Sequence, residues 1–314
     1  MGAVATDATT RAVEATLRGR RRDVVGAAVG AALLLALLTS LALLVFLLWD
    51  PASRGVPLLL ERGASFLTNG TSSVPARAGI GPALVGSLTL MVIVAVVAFP
   101  LGVGAAVYLE EYAHDTRTTR FIAANIRNLA GVPSIVYGIL GLVIFVEVLR
   151  KVFLAMSPRG SLLSGGLTLG VLVMPIVVIT TSEALRAVPR SIREAAYGVG
   201  ATRWETIRSH VLPYAAPGVL TGTVLALARA FGETAPLLLV GAVTGFFSTG
   251  NAGMTDKLLT TAYTALPVQI YAWTSLPQPA FQDLAAAGIV VMMVLLLLVN
   301  GVAIWMRNRY ERKW

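Results

Sequence analysis

Two ionisable residues, Arg229 and Glu233, lie four positions apart in the stretch LARAFGETAP (227–236), inside a run that is otherwise apolar. An Arg at the centre of a membrane span costs about 2.5–3.5 kcal/mol on insertion scales, so its presence there indicates a role. On a continuous helix the two side chains share a face and can pair, which reduces the buried charge. A guanidinium also offers a fork of donors that suits oxyanions.

The pair therefore supports two hypotheses. It is either a structural ion pair that fixes the register of a helix, or a waypoint for an anion crossing the membrane. In the second case Glu233 holds Arg229 when no anion is present, and Thr234 adds a hydroxyl. We favour the waypoint, because ionisable groups inside membrane spans usually mark a pathway. Pro236 is expected to loosen the helix one turn later.

Small residues line the helices that must position this pair. Gly218, Gly222 and Ala226 lead to Arg229 on one helical face, which predicts close packing on a neighbouring helix with the charge at an internal interface. A second stripe of small residues predicts another close-packed face, and consists of Gly131, Ser134, Gly138 and Gly141.

A polar segment, residues 190–213, separates two apolar runs. The pairs Ser191/Glu194 and Thr202/Glu205 have capping-box spacing, which predicts two short helices that meet at a hinge containing Gly198 and Gly200. The predicted apolar face of the second helix consists of Ala201, Trp204, Ile207 and Val211. This arrangement indicates either a docking element for another protein or an amphipathic hairpin at the membrane surface, and we favour docking.

The composition is that of a membrane protein. Hydrophobic residues make up 56% of the 314 residues and charged residues 13%, whereas soluble domains carry about 25% charged residues. The chain has no cysteine and two histidines, so no disulfide or metal site is expected, and no catalytic site is indicated. The net charge of +9 lies beside apolar spans, which favours membrane orientation rather than nucleic-acid binding.

Six apolar runs are long enough to cross a bilayer. The predicted spans are Val24–Trp49, Ala83–Leu109, Leu129–Leu149, Leu162–Leu185, Tyr214–Val240 and Leu284–Met306. Lys and Arg concentrate in alternate connecting segments, which places both termini and the polar segment in the cytoplasm. The chain then divides into a basic cytoplasmic tail (1–23), a first helix with an outer loop (24–82) and a helical core (83–314). Glu110, Glu111 and Asp115 are expected on a solvated face, and Glu183 is expected to pair with Arg186.

The polar segment resembles the cytoplasmic signature loop of ABC importer permeases, E-A-A-x3-G-x9-I-x-L-P. The matching residues are Glu194, Ala195, Ala196, Gly200, Leu212 and Pro213, and His210 stands at the isoleucine position. The resemblance implies that this segment forms a coupling helix, with Trp204 on it, that sits in a cleft of an ATPase subunit. It also implies an all-α integral membrane protein with six transmembrane helices and the type I ABC importer permease fold.

The sequence RAFGETAP, together with GVPSIVYG at residues 131–138, resembles the A-type permease subunit of the Pst phosphate importer. This resemblance implies one half of a phosphate pathway in a prokaryotic plasma (inner) membrane. It implies four kinds of partner: a homologous PstC-like permease, two PstB-like ATPase subunits, an external PstS-like phosphate-binding protein and membrane lipid. The chain has no G-x4-G-K-[ST] phosphate loop, so ATP and Mg²⁺ are expected to be used by the ATPase subunits, and no cofactor by this chain.

Three alternatives remain open at this stage. A sulfate or molybdate ABC permease would carry a similar tetrahedral anion. A transporter driven by an ion gradient would show inverted repeats and paired broken helices, and neither is evident in the sequence. A membrane scaffold or sensor that transports nothing leaves Arg229 without a role.

Overall fold

The computed structural model describes residues 24–148, 151, 160–242 and 262–310, and every regular element within them is helical. The predicted tail, residues 1–23, lies outside these ranges. The α-helices are α1 (Val24–Arg62), α2 (Ala64–Thr68), α3 (Gly81–Val107), α4 (Arg117–Ala130), α5 (Ser134–Gly141), α6 (Leu162–Arg186), α7 (Arg190–Gly198), α8 (Arg203–Thr206), α9 (Leu212–Gly232), α10 (Ala235–Leu239), α11 (Leu266–Thr274) and α12 (Pro279–Tyr310). Among the described residues, π-helical turns continue α3 (Tyr108–Tyr112), α5 (Leu142–Val148) and α8 (Ile207–Val211).

The chain divides into two compact units, Met1–Asp50 and Pro51–Trp314. In the first unit, residues 24–50 are helical and apolar, with exposed side chains. In the described part of the chain, five helices are long and apolar enough to cross a membrane, and a sixth span results if the bent pair α4 and α5 counts as one. The prediction of an all-α membrane protein with six spans is confirmed in this sense.

The third span begins later than predicted. The sequence predicted one span from Leu129, but Leu129 belongs to α4, and the helices Arg117–Ala130 and Ser134–Val148 meet at an angle of 103°. Pro133 explains the break, because a proline disfavours helical geometry in the residue before it. The Tyr137 hydroxyl donates a hydrogen bond to the Leu129 carbonyl at 2.8 Å, which ties the two helices together across the bend.

The fifth span is broken, where the sequence predicted one helix from Tyr214 to Val240. Helix α9 ends at Gly232, Glu233 has extended backbone geometry (ψ 120°), and α10 begins at Ala235. In a continuous helix the ring of Pro236 would clash with the carbonyl of Gly232, whereas a proline in the first turn of a new helix is tolerated. The proline therefore ends the helix between Arg229 and Glu233 rather than loosening it after the pair.

The predicted close packing through small residues is confirmed on two helix pairs. Gly222 and Gly218 of α9 lie against Thr180 and Ala184 of α6, so that a Cβ at either glycine would collide with its neighbour. Gly138 of α5 packs against α10 in the same way, with its Cβ position 2.7 Å from the Cα of Pro236.

The second stripe is shorter than predicted. Gly141 lies against Thr168 of α6 and continues the face that starts at Gly138. Gly131 caps α4 at the bend and faces no neighbouring helix, so its inclusion in a helical face was wrong.

Candidate functional site

The Arg229–Glu233 pair forms at a helix end rather than on a continuous helix. Arg229 lies in the last turn of α9, Glu233 is the residue that caps it, and the Arg229 Nε lies 3.5 Å from the Glu233 Oε1. The carbonyl end of a helix carries partial negative charge, which favours a cation in its last turn. The predicted pairing is present, but its cause differs from the predicted one. The two side chains meet because the chain turns after Gly232, and not because they share a face of one continuous helix.

Arg229 lies beside the packed face of α9 and not within it. Gly222 and Ala226 are buried, whereas the Arg229 side chain is 46% exposed and the Glu233 side chain 17%. The predicted internal interface is thus formed by the small residues, and the Arg229 side chain is half-exposed. Thr234 follows as a half-buried residue directly before α10.

The structure brings together the two motifs that carry the resemblance. Gly138, in GVPSIVYG, contacts Pro236 and Leu239 just after GET. The neighbouring Tyr137 is buried and lies within electrostatic range of Arg229. Tyr137 is therefore close to the site. The sequence placed it in the motif GVPSIVYG, but no role at the site was predicted for it.

The polar segment (190–213) contains α7, a turn at Gly200, α8 with its π-helical turn, and the first two residues of α9. Gly200 has φ +86°, a left-handed conformation that glycine adopts without strain, and this confirms the predicted hinge. The capping box of Thr202 and Glu205 is also confirmed, because the Glu205 amide donates to Thr202 Oγ1 (3.3 Å) and the Thr202 amide to Glu205 Oε2 (2.8 Å). The Thr202 hydroxyl also donates to Glu205 Oε2 (2.7 Å), and the bonds from the Thr202 amide and hydroxyl to this carboxylate hold the pKa of Glu205 below its usual value.

The first predicted capping box is wrong. Helix α7 begins at Arg190 after Pro189, so Ser191 lies inside the helix and makes no cap. A proline fixes its own φ near the helical value and can start a helix without a side-chain cap.

The buried face of the second helix differs from the predicted one. Thr206, Ile207 and Val211 are buried, but Trp204 is 55% exposed. The buried face begins at Thr206 and continues through the π-helical turn to Val211, and Trp204 lies outside it. Trp204 instead shares the exposed surface of this segment with Tyr197 and Val199.

The other residues of the signature motif are distributed over both sides of the segment. Ala196 is buried and Leu212 is half-buried; the exposed members are Glu194, Ala195, Gly200 and Pro213.

Two ion pairs connect the π-helical turn after α3 to the neighbourhood of the polar segment, where the sequence predicted a solvated face. Arg186 binds Glu110 through two bonds of 2.8 Å, instead of pairing with Glu183 as predicted. Arg193 binds Glu111, whose carboxylate is buried. Only Asp115 behaves as expected, in an exposed pair with Arg120. Over the described residues, no group of three or more His, Cys, Asp or Glu side chains could hold a metal ion.

Membrane-length helices, a broken span that carries an ion pair and a polar helical segment between two spans together define a multi-pass membrane transport subunit. Residues 98–313 match the family described as the inner membrane component of binding-protein-dependent transport systems, and the chain belongs to this family.

Several relatives are similar over most of their length. The chain is 31% identical to the probable ABC transporter permease protein YqgI of Bacillus subtilis (strain 168), over 79% of this chain and 84% of that one. It is 36% identical to the phosphate transport system permease protein PstA of Yersinia pestis, over 73% of this chain and 72% of that one. The PstA of Xylella fastidiosa (strain 9a5c) is 34% identical over 79% and 80%.

Solved structures share the fold at low sequence identity. A bacterial alginate ABC transporter, in complex with a periplasmic protein bound to an alginate pentasaccharide, has a chain that matches with a TM-score of 0.63 at 17% identity, covering 90% of this chain and 96% of that one. The inward-facing MetNI methionine ABC transporter matches with a TM-score of 0.57 at 18% identity, covering 73% and 95%. These likenesses establish the ABC importer permease fold.

Proposed function

We propose that this chain is the transmembrane permease subunit of an ATP-driven importer of inorganic phosphate, and that it forms half of the translocation pathway with a homologous subunit. The observation that supports this proposal most directly is the Arg229–Glu233 pair at the break of the fifth span, within the sequence RAFGETAP. Relatives named as phosphate transport permeases, matched over most of the chain, support phosphate as the anion.

The geometry of the pair suits a reversible anion contact. Charge-assisted N–H···O bonds are about 2.7–2.9 Å long, and the pairs made by Arg186 and Arg193 include bonds of 2.8 and 2.6 Å. The 3.5 Å between Arg229 and Glu233 is longer, so the carboxylate holds the guanidinium loosely. A phosphate oxygen can then take the donors of Arg229 while Glu233 balances its charge after the anion leaves.

Energy comes from partner subunits, because the chain contains no phosphate loop for ATP. The exposed apolar group of Tyr197, Val199 and Trp204 on the polar segment is the surface proposed to dock on a PstB-like ATPase subunit, with Glu194 and Ala195 beside it. Aromatic side chains in a docked apolar patch supply much of the binding energy of interfaces. ATP and Mg²⁺ act in that subunit.

The proposed complex contains this chain, a PstC-like permease, two PstB-like ATPase subunits and a PstS-like phosphate-binding protein on the outer side of the membrane. The excess of Lys and Arg in alternate connecting segments supports cytoplasmic termini and a cytoplasmic polar segment. The chain lies in the plasma membrane of a bacterium.

Uptake of radiolabelled phosphate by proteoliposomes that contain the whole complex tests the proposal. R229A is expected to abolish uptake while the complex still assembles, and R127A is the matched control, because Arg127 is an exposed arginine of α4. Competition by arsenate but not sulfate is expected. Normal uptake by R229A, or stronger competition by sulfate than by arsenate, would contradict the proposal.

A further inference from the structure

One of the two arginine–glutamate pairs next to the polar segment is buried. Arg193 lies in α7 and Glu111 in the π-helical turn that ends the second span; Arg193 Nη2 lies 2.6 Å from Glu111 Oε1, and Nε lies 3.3 Å from Oε2. The two side chains are 21% and 7% exposed. A charge pair this far out of water is held in place, because losing one partner leaves a buried charge uncompensated.

The remaining donors of Arg193 reach a third element. Its Nη1 donates to the Val188 carbonyl at 2.9 Å and its Nη2 to the Leu185 carbonyl at 3.0 Å. The Leu185 carbonyl lies in the last turn of α6, where helix carbonyls lack partners four residues later, and Val188 lies just after the helix end. One guanidinium thus joins the polar segment to the ends of the second and fourth spans.

We propose that Arg193 and Glu111 form the joint through which movement of the polar segment reaches the second and fourth spans. This inference rests on the proposed function, in which an ATPase subunit moves the polar segment. Because Glu111 is buried and Arg193 makes four hydrogen bonds to its neighbours, α7 cannot shift without moving the end of α3 or breaking the joint. Packed elements connected in this way move as rigid bodies between discrete arrangements.

The neighbouring pair supplies an internal comparison. Arg186 and Glu110 connect α6 to the same π-helical turn, but the Arg186 side chain is 59% exposed. Water competes for such a pair, and exposed pairs contribute little. Neither arginine contacts the transported anion in the proposed pathway, so both are positioning residues, and only the buried pair is assigned to coupling.

The first test measures coupling in the reconstituted complex. E111Q is nearly isosteric and is expected to lower the amount of phosphate transported per ATP hydrolysed by about tenfold, while ATPase binding stays unchanged. E110Q, the matched control, is expected to keep the wild-type ratio. A purely structural role of Glu111 would lower assembly and both rates together and leave the ratio unchanged, and that result would overturn the inference.

The second test does not depend on activity. Because the chain has no cysteine, spin labels can be placed at two exposed sites by S191C, in α7 but outside the proposed docking surface, and Y108C beside Glu111. The distance between the labels is expected to stay constant between the nucleotide-free and ATP-trapped complexes, and to become state-dependent when E111Q is added. A distance that changes with nucleotide in the presence of Glu111 would overturn the inference.

These measurements distinguish an error in the proposed function from an error in the proposed joint. If the unmodified complex takes up no phosphate, the proposed function is wrong. If it takes up phosphate and E111Q keeps the wild-type ratio of phosphate to ATP, the function stands and the joint is wrong.

Discussion

The close approach of α5 to α10 at Gly138 leads to a prediction whose size follows from the structure. A Cβ added at Gly138 would lie 2.7 Å from the Cα of Pro236 and 2.9 Å from Cδ1 of Leu239. Carbon atoms in contact lie about 3.5–4.0 Å apart, so G138A must separate the two helices by about 1 Å. The backbone atom of Pro236 cannot rotate away, and overpacking of this kind costs about 1–3 kcal/mol.

The same substitution should also disturb transport, because α10 begins directly after Glu233 and Thr234. Moving α10 changes the position of Glu233 relative to Arg229, and we expect phosphate uptake to fall together with the free energy of unfolding. The assay pairs denaturant titration of the purified complex in detergent with uptake by proteoliposomes.

G104A is the control for this prediction. A Cβ at Gly104 in α3 meets nothing within 4 Å, and alanine is favoured over glycine in a helix interior by about 0.5–1 kcal/mol. We therefore expect G104A to keep uptake and to unfold at the same or a higher denaturant concentration. If G138A behaves like G104A in both measurements, the close packing at Gly138 does not position the pair.

Three further predictions concern single side chains. R229K keeps the positive charge but loses the forked set of guanidinium donors. Since a hydrogen bond to a charged group contributes about 1.5–3 kcal/mol, phosphate uptake should fall by about tenfold or more. Wild-type uptake kinetics would contradict this expectation. W204A removes an exposed side chain and should change the free energy of unfolding by less than about 0.5 kcal/mol, while a pull-down should show weaker ATPase binding; unchanged binding would argue against docking. T202A removes a helix cap worth about 1 kcal/mol, so hydrogen exchange in 203–206 should accelerate, and unaltered exchange would show that tertiary contacts alone hold α8.

Local signals in the sequence predicted the features that depend on neighbouring residues. The Thr202–Glu205 capping box and the Gly200 hinge needed only spacing and residue type, and both are present. The break of the fifth span could also have been predicted, because Pro236 lies four residues after Gly232. It was missed because the apolar composition of 214–240 suggested one continuous helix.

Features that depend on distant residues could not be predicted in this way. Glu111 and Arg193 lie 82 positions apart, and nothing in either stretch indicates that the other is its partner. Periodicity at 3.6 residues per turn placed Trp204 on the apolar face, but it does not show which face a neighbouring helix covers or where a π-helical turn interrupts the repeat. The sequence therefore predicted where the hinge and the helix cap of the polar segment lie, but not which of its side chains are buried.

The half-exposed guanidinium of Arg229 has a consequence for biogenesis. In a copy of this chain inserted alone, that cation would face lipid or a water defect at a cost of about 2.5–3.5 kcal/mol. In the proposed assembly, the homologous permease provides the surface that shelters it. Synthesis of the two permeases in matched amounts would then protect each from membrane proteases that remove unassembled proteins. Arg229, proposed to receive the anion, would in that case also make an unpaired permease easier to remove.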